Sequence, residues 1–256
     1  RALTTGMRRA EGGIGIDGEV HCDMEATEVE ISHADCLHDM TNAFGSTLWG
    51  ALDDTVAELM TDADKDFGKQ RVRWPAMTLA SSDGQVSLRP GGKGGFMGDP
   101  FVVQCFAHTF KRPVAAWQQR QASWDPRASH LLTRCPISGL LTDLSLTVYA
   151  DDLFKKLLLK DASAGELHTK VRGSNSVLQE ELLEYGYVQQ VKKQVVLPSL
   201  LGKGSAAARR DIRTGVVKLE SKVLDDDRYL GSVFSPSVHN LTELRKRAQL
   251  TRHAFF

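Results

Sequence analysis

The residues best placed to do chemistry are two adjacent carboxylates, Asp151 and Asp152, preceded by Tyr149-Ala150 and by the apolar run 144–148. Two ionised carboxylates beside a run that belongs in a core are costly to desolvate together. A divalent cation removes that cost. Asp oxygens are hard ligands suited to Mg²⁺, which takes one or two carboxylates plus substrate phosphates. The rival reading is a plain Asp-Asp turn on the surface. Three other places carry chemistry-bearing residues: Asp39 with Met40-Thr41-Asn42-Ala43-Phe44 behind it, Gly98-Asp99-Pro100 after a glycine-rich loop at 89–95, and Tyr229-Leu230-Gly231 downstream.

Short alternating elements must position these groups. Residues 29–37 alternate enough to form a strand that ends at Asp39. Ser46 can cap a helix whose Leu48, Leu52, Val56 and Leu59 share one face. Residues 85–88 predict a short strand. Asp99 caps a helix that opens on Pro100, with Phe101, Val102, Cys105, Phe106 and Phe110 as its apolar face. Residues 144–150 and 153–159 are apolar runs separated by Asp151-Asp152 alone, which predicts a tight hairpin. Ser176 with Gln179 resembles a capping box for a helix ending at Gly186. Residues 188–196, 213–219 and 229–234 predict strands, and 241–250 a basic helix. No regular βαβ rhythm emerges, so the expected class is α+β with an antiparallel sheet.

Composition bounds the function. The chain has 256 residues, enough for one large domain or a domain plus a small appendage. Lys plus Arg (32) equals Asp plus Glu (32), which excludes a uniformly basic nucleic-acid coat and a strongly acidic disordered chain. Charge is nonetheless uneven: residues 1–70 hold 15 acidic and 5 basic side chains, and residues 201–256 hold 6 and 11. Metal ions at one end and phosphates at the other would suit that asymmetry, as would two solvated faces. No apolar run approaches the ~20 residues of a membrane span, so no membrane partner is expected. Cysteines at 22, 36, 105 and 135 fit no disulfide scaffold, and buried free thiols in an intracellular reducing compartment, nuclear or cytoplasmic, are expected. Lys93 is followed by Gly94 where a phosphate-binding P-loop needs Ser or Thr. His21, Cys22, His33, Cys36 and His38 fit no common zinc spacing. The four tryptophans, Trp49, Trp74, Trp117 and Trp124, suit core or interface anchors better than base-stacking platforms.

In this order and spacing the boxes resemble the palm of a reverse transcriptase, closest to the LINE-type, non-LTR retrotransposon enzymes, over roughly residues 30–235. The resemblance implies a right-hand polymerase palm, its antiparallel sheet flanked by helices. The first motif, an Asp followed after three residues by Ala-Phe-Asp, is matched by Asp39, Ala43 and Phe44, with Gly45 in place of the last Asp. The second, Gln-Gly-Asp-Pro, has Met97 for Gln and keeps Gly98, Asp99 and Pro100. The third is intact at Tyr149, Ala150, Asp151 and Asp152. The fourth keeps Gly186 and Lys193 and departs at Tyr187, Gln190 and Gln194. The fifth is Tyr229-Leu230-Gly231.

The resemblance implies catalytic metal ligands at Asp39, Asp151 and Asp152 for two Mg²⁺ ions, with Mn²⁺ as a substitute. It implies a steric gate at Phe44, nucleotide contacts at Gly98, Asp99 and Lys193, and a primer grip at Tyr229, Leu230 and Gly231. Two-metal nucleotidyl transfer of dNTPs to a DNA primer on an RNA template follows. The alternative is an inactive relic retaining fold and nucleic-acid binding. An RNA-templated RNA polymerase fits less well, because Phe44 would exclude a ribose 2′-hydroxyl. Residues 1–235 are expected to form incomplete fingers and palm, and 236–256 the stub of a thumb, with basic Arg245, Lys246 and Arg247 facing phosphates. The whole reads as a piece of a larger polyprotein with an endonuclease.

Overall fold

The computed structural model describes residues 7–14, 20–27, 31–74, 77–88, 91–95, 99–125, 127, 131–135, 137–225, 227–229 and 232–234. The chain runs β1 (Met7–Ile14), β2 (Val20–Thr27), β3 (His33–His38), α1 (Ala43–Ser46), α2 (Trp49–Leu59), α3 (Lys65–Arg73), β4 (Met77–Ser81), β5 (Gly84–Leu88) and α4 (Pro100–Trp124). It continues through β6 (Leu132–Arg134), β7 (Leu141–Asp143), β8 (Leu146–Tyr149), β9 (Asp152–Leu158), α5 (Ala164–Leu183), β10 (Val195–Ser199), α6 (Ser205–Arg213), β11 (Lys222–Val223), β12 (Asp227–Tyr229) and β13 (Ser232–Phe234). One five-stranded sheet, in the order β11-β10-β3-β9-β8, organises the described residues. Only the β10–β11 pair is parallel. The class is therefore the expected α+β with an antiparallel-rich sheet.

Alternation sorts the two faces of that sheet. Ala34 and Cys36 of β3, Leu157 of β9 and Val196 of β10 pack against Ala164, Leu167 and Val171 of α5 and Ala208 of α6. Leu37, Phe154, Val195 and Leu197 cluster on the opposite face. A second helix-side core joins Phe106, Phe110, Val114 and Trp117 of α4 to Leu178 and Leu182 of α5, together with Met40, Ala43, Leu153 and Tyr187. Burying each such Leu contributes roughly 1.5–3 kcal/mol. Helix α4 begins as its sequence requires: the Asp99 side chain accepts the Phe101 N–H at 2.9 Å, and Pro100 follows at the first helical position. It then runs through Pro113 to Trp124, well past the apolar face predicted for it.

Several sequence expectations are corrected. Helix α2 is flanked by Leu48, with no side-chain cap, because Ser46 closes the preceding turn α1 and its hydroxyl donates to Ala43 O at 3.2 Å. Leu59, placed on the buried face, is 46% exposed. Helix α5 starts at Ala164, not near Ser176; Ser163 accepts the Glu166 N–H at 3.0 Å and is the true cap. Residues 188–194 are not strand: three of them turn, and only Val195 onward joins the sheet. Residues 213–219 are not strand either, since α6 ends at Arg213 and the strand beside β10 is Lys222–Val223. The predicted strand at 229–234 is not continuous: Tyr229 ends β12 and pairs antiparallel with Ser232 of β13. Residues 235–256, including the predicted basic helix, lie outside the described residues. Cys36 and Cys105 are buried free thiols, whereas Cys135 is half-exposed. Of the tryptophans, Trp117 is buried, but Trp74 and Trp124 are exposed.

Leu182 and Leu183 are neighbours with opposite environments, 0% and 54% exposed. Leu182→Ala is expected to lose about 3 kcal/mol of stability in urea denaturation. Leu183→Ala is expected to change it by less than about 0.5 kcal/mol.

Candidate functional site

Two strands carry the carboxylates to one end of the sheet. In the antiparallel register His38 pairs with Leu153, so Asp39, one residue past β3, and Asp152, one residue before that pair, lie at the same end. The predicted tight hairpin forms, but one residue earlier than expected: Tyr149 pairs with Asp152, so the two-residue loop is Ala150-Asp151 and Asp152 opens β9. Ala150 has φ 54°, in the left-handed region. An alanine there costs roughly 1–2 kcal/mol, so strain sits in the loop that presents Asp151.

The electrostatics follow from that placement. Burial raises the Asp152 carboxyl above its ordinary range, and the nearby charges of Asp151 and Asp39 raise it further. The three Asp residues therefore crowd one another electrostatically, and all three are half-buried. Among the described residues no three His, Cys, Asp or Glu side chains are grouped closely enough to hold a metal ion as they stand. Asp39 instead leans to Lys193, whose Nζ lies 3.0 Å from Oδ2. The donor set is nonetheless chemically suited to a hard divalent cation: oxygen-only ligands whose mutual repulsion a 2+ charge would relieve.

Residues 187–194 hold Lys193 there. Gln190 N donates to Asp39 O at 2.9 Å, Thr41 N to Val188 O at 2.8 Å, and Met40 bridges to Gln189. Beneath this lies a buried polar network that sequence reasoning missed. Gln189 and Gln194 both direct Nε2 at His38 Nδ1, at 2.7 and 3.1 Å. Gln194 and Asn175 of α5 exchange side-chain amide hydrogen bonds at 2.7 and 2.8 Å, and Ser221 donates to Gln194. The His38 ring meets the edge of Trp117, with centroids 5.6 Å apart. Burial, with the Lys155 charge nearby, pushes His38 down to about 3, so the ring is neutral and accepts at Nδ1. Lys155 is itself buried, donating to Ser145 Oγ at 2.6 Å, and burial lowers its ammonium although Asp143 opposes this. The histidine was legible as a residue, but only the fold reveals that it props the strand end carrying Asp39.

The other predicted site residues are placed as follows. Phe44 is half-buried, its ring stacked on Phe106 at 3.9 Å between centroids. Asp99 is occupied by its helix and by Arg71, which donates from Nε at 3.0 Å and Nη2 at 2.9 Å. Burial alone would raise the Asp99 carboxyl, but Arg71 and the Phe101 N–H hold it below its ordinary range. These contacts tie α3 to α4. Tyr229 lies in β12, while Gly98, Leu230 and Gly231 lie outside the described residues, as does Met97. Gly45 sits against Gly94: at φ 69°, a side chain on Gly94 would meet Gly45 O at 2.5 Å. Gly94 N also donates to Thr47 O at 2.7 Å, and the Trp49 indole donates to Gly94 O at 3.0 Å. The loop at 91–95 is thus a brace behind the first motif.

Two pH effects follow. Between about 3 and 6.5 the unfolded chain protonates His38 while the folded chain does not, so this group makes stability fall as pH drops through that window. His38→Gln is expected to flatten the acid limb of a plot of urea midpoint against pH. Asp152 acts with the opposite sign. Its folded carboxyl holds a proton to higher pH than the unfolded one, so its contribution falls as pH rises above 3.8. Asp152→Asn, in metal-free buffer, is expected to be more stable than wild type at pH 7 by under about 1 kcal/mol, with the gain vanishing below pH about 4.

No family model matches the chain, and no curated protein does. Solved structures do resemble it, and two are of telomerase from Candida tropicalis. The apo enzyme truncated from its C-terminal domain is 13% identical, over 80% of this chain and 34% of that one, with a TM-score of 0.49. The enzyme in complex with the TWJ fragment of telomeric RNA is 12% identical, over 80% of this chain and 29% of that one, with a TM-score of 0.51. This chain therefore spans about a third of those proteins. At such identity the likeness speaks to fold alone, and the antiparallel-rich sheet flanked by helices is consistent with a polymerase palm fold.

Proposed function

We propose that this chain is the RNA-directed DNA polymerase domain of a LINE-type, non-LTR retroelement, part of a larger polyprotein with an endonuclease. The observation that carries the catalytic reading is the β3–β9–β8 register. It sets Asp39 beside the Asp151–Asp152 hairpin at one end of a palm-type sheet. The retroelement assignment rests on the motif resemblance.

In this reading Asp39, Asp151 and Asp152 hold two Mg²⁺ ions, with Mn²⁺ able to replace them. Such ions, when bound, neutralise charge on the triphosphate and favour the primer's 3′-oxygen as nucleophile. The protein's share is placement. The strained Ala150 loop fixes where Asp151 points, and the His38 network fixes the strand end before Asp39. Phe44 excludes a ribose 2′-hydroxyl, its ring steadied by Phe106. Lys193, Gly98 and Asp99 serve the incoming nucleotide, and Tyr229, Leu230 and Gly231 serve the primer end. RNA template, DNA primer and dNTPs are the partners. Among the described residues no helix is long and apolar enough to cross a membrane.

A second reading, a relic that binds nucleic acid without catalysis, is favoured by the ion pair that turns Asp39 toward Lys193. Primer extension on poly(rA)–oligo(dT) with dTTP and Mg²⁺ separates the two. The polymerase reading expects incorporation by wild type and, with several kcal/mol of transition-state stabilisation removed, a loss of about 100-fold or more in Asp151→Asn. A folded wild type that binds nucleic acid salt-sensitively yet incorporates nothing would establish the relic instead.

A further inference from the structure

Lys193 occupies the place of a cation. Its ammonium meets Asp39 Oδ2 at 3.0 Å, at the one end of the sheet where Asp39, Asp151 and Asp152 converge. Its one positive charge pairs with Asp39, while Asp151 and Asp152 crowd Asp39 from the hairpin beside it. We propose that Lys193 is the resident counter-ion of this site, that its ammonium and a divalent cation compete for Asp39, and that Lys193 thereby sets the site's metal affinity. The inference rests on the metal-site reading above.

The attachment of Lys193 suits an exchangeable counter-ion. Its backbone cannot wander: Lys193 N donates to Gln190 O, and Gln190 N to Asp39 O, both at 2.9 Å. Its side chain, by contrast, is 63% exposed, so the ammonium can swing into water without opening a cavity. The buried lysines nearby lack that freedom. Lys155 is held by Ser145 and Asp143, and Lys156 by Asp35, inside the sheet's two faces. Asp39 has a matching choice of partner, because its carboxylate is a third exposed and its strand end is fixed from below by His38. Releasing Lys193 frees Asp39 to turn toward Asp151 and Asp152. Retaining Lys193 keeps the three from grouping as ligands, which is the arrangement seen among the described residues.

The test is Mn²⁺ binding to the full chain without nucleotide or nucleic acid, read as free Mn²⁺ by electron paramagnetic resonance. Circular dichroism establishes that each protein is folded. Lys193→Met, which keeps the side chain's length and loses its charge, is expected to bind Mn²⁺ about 10-fold more tightly than wild type. Lys193→Arg is expected to stay within about twofold of wild type, since the charge remains. Asp39→Asn is expected to bind weakly whatever stands at 193. Lys193→Met binding no more tightly than wild type overturns the counter-ion role and leaves the metal site standing. Binding by Asp39→Asn equal to wild type, or by none of the proteins, overturns the metal reading and this inference with it.

Discussion

The pairing of β3 with β9, from His33 opposite Leu158 to His38 opposite Leu153, is the constraint on which the candidate site depends. A one-residue slip would turn Ala34, Cys36 and Leu157 away from the helices and send Asp35 and Lys156 into their core. It would also separate Asp39 from Asp152. The register is fixed from both sides of the sheet. On the helix side, Cys36 and Leu157 meet Leu167 and Val171 of α5. On the other, Leu37 and Phe154 pack together while Lys156 donates to the buried Asp35. Such a buried ion pair adds little net stability but strongly penalises any register that separates its charges.

Unfavourable features gather at the carboxylate end of this sheet. Ala150 is held in a left-handed conformation, Asp152 is crowded by two like charges, and His38 Nε2 is buried without a hydrogen-bond partner. Each lowers stability, and they lie within a few residues of one another. What holds them is the dense packing behind: Phe106, Phe110, Trp117, Leu178, Leu182 and Tyr187 are nearly or fully buried between α4, α5 and the sheet. Strain concentrated at one end of an otherwise well-packed element is the pattern expected of a site under functional demand.

What the sequence revealed follows from how local each signal is. The hairpin was legible, one residue out of place, because Asp151-Asp152 separates the apolar runs on either side, and α4 because Asp99 and Pro100 both mark a start. The first half of α5 was not. Its buried stripe is Ala164, Leu167, Val171, Ser174, Leu178 and Leu182, and the small Ala164 and polar Ser174 thin the apolar signal where it should begin. Residues 213–219 looked like a strand from Val216 and Val217, but Val217 and Leu219 instead pack beside α6 against the helix-side core. Strand formation needs a neighbour, and no local pattern says that β10 finds its own at Lys222–Val223. Of the site, the three Asp positions were readable as a motif. The Lys193–Asp39 pair and the Gln189–His38–Gln194 network were not, because Asp39 and His38 lie more than 150 residues in sequence from these partners.

The departures from the motifs that the sequence resembles gain a physical account from the same contacts. Gly45 replaces a carboxylate where Gly94 backs onto its carbonyl, and a side chain at 45 would also collide with Asn42. Tyr187 fills the aromatic core with its ring edge-on to Phe110 at 5.3 Å, its phenol oxygen accepting from Thr47. Gln190 serves through its backbone, pinned to Asp39. Gln194 is satisfied on both sides of its amide, by His38 and Asn175 on one and by Asn175 and Ser221 on the other. Residues 45, 187, 190 and 194, where the sequence departs from the motifs it resembles, each contact the segment around Asp39: Gly45 through Asn42, Tyr187 through Thr47, Gln190 through Asp39 itself and Gln194 through His38.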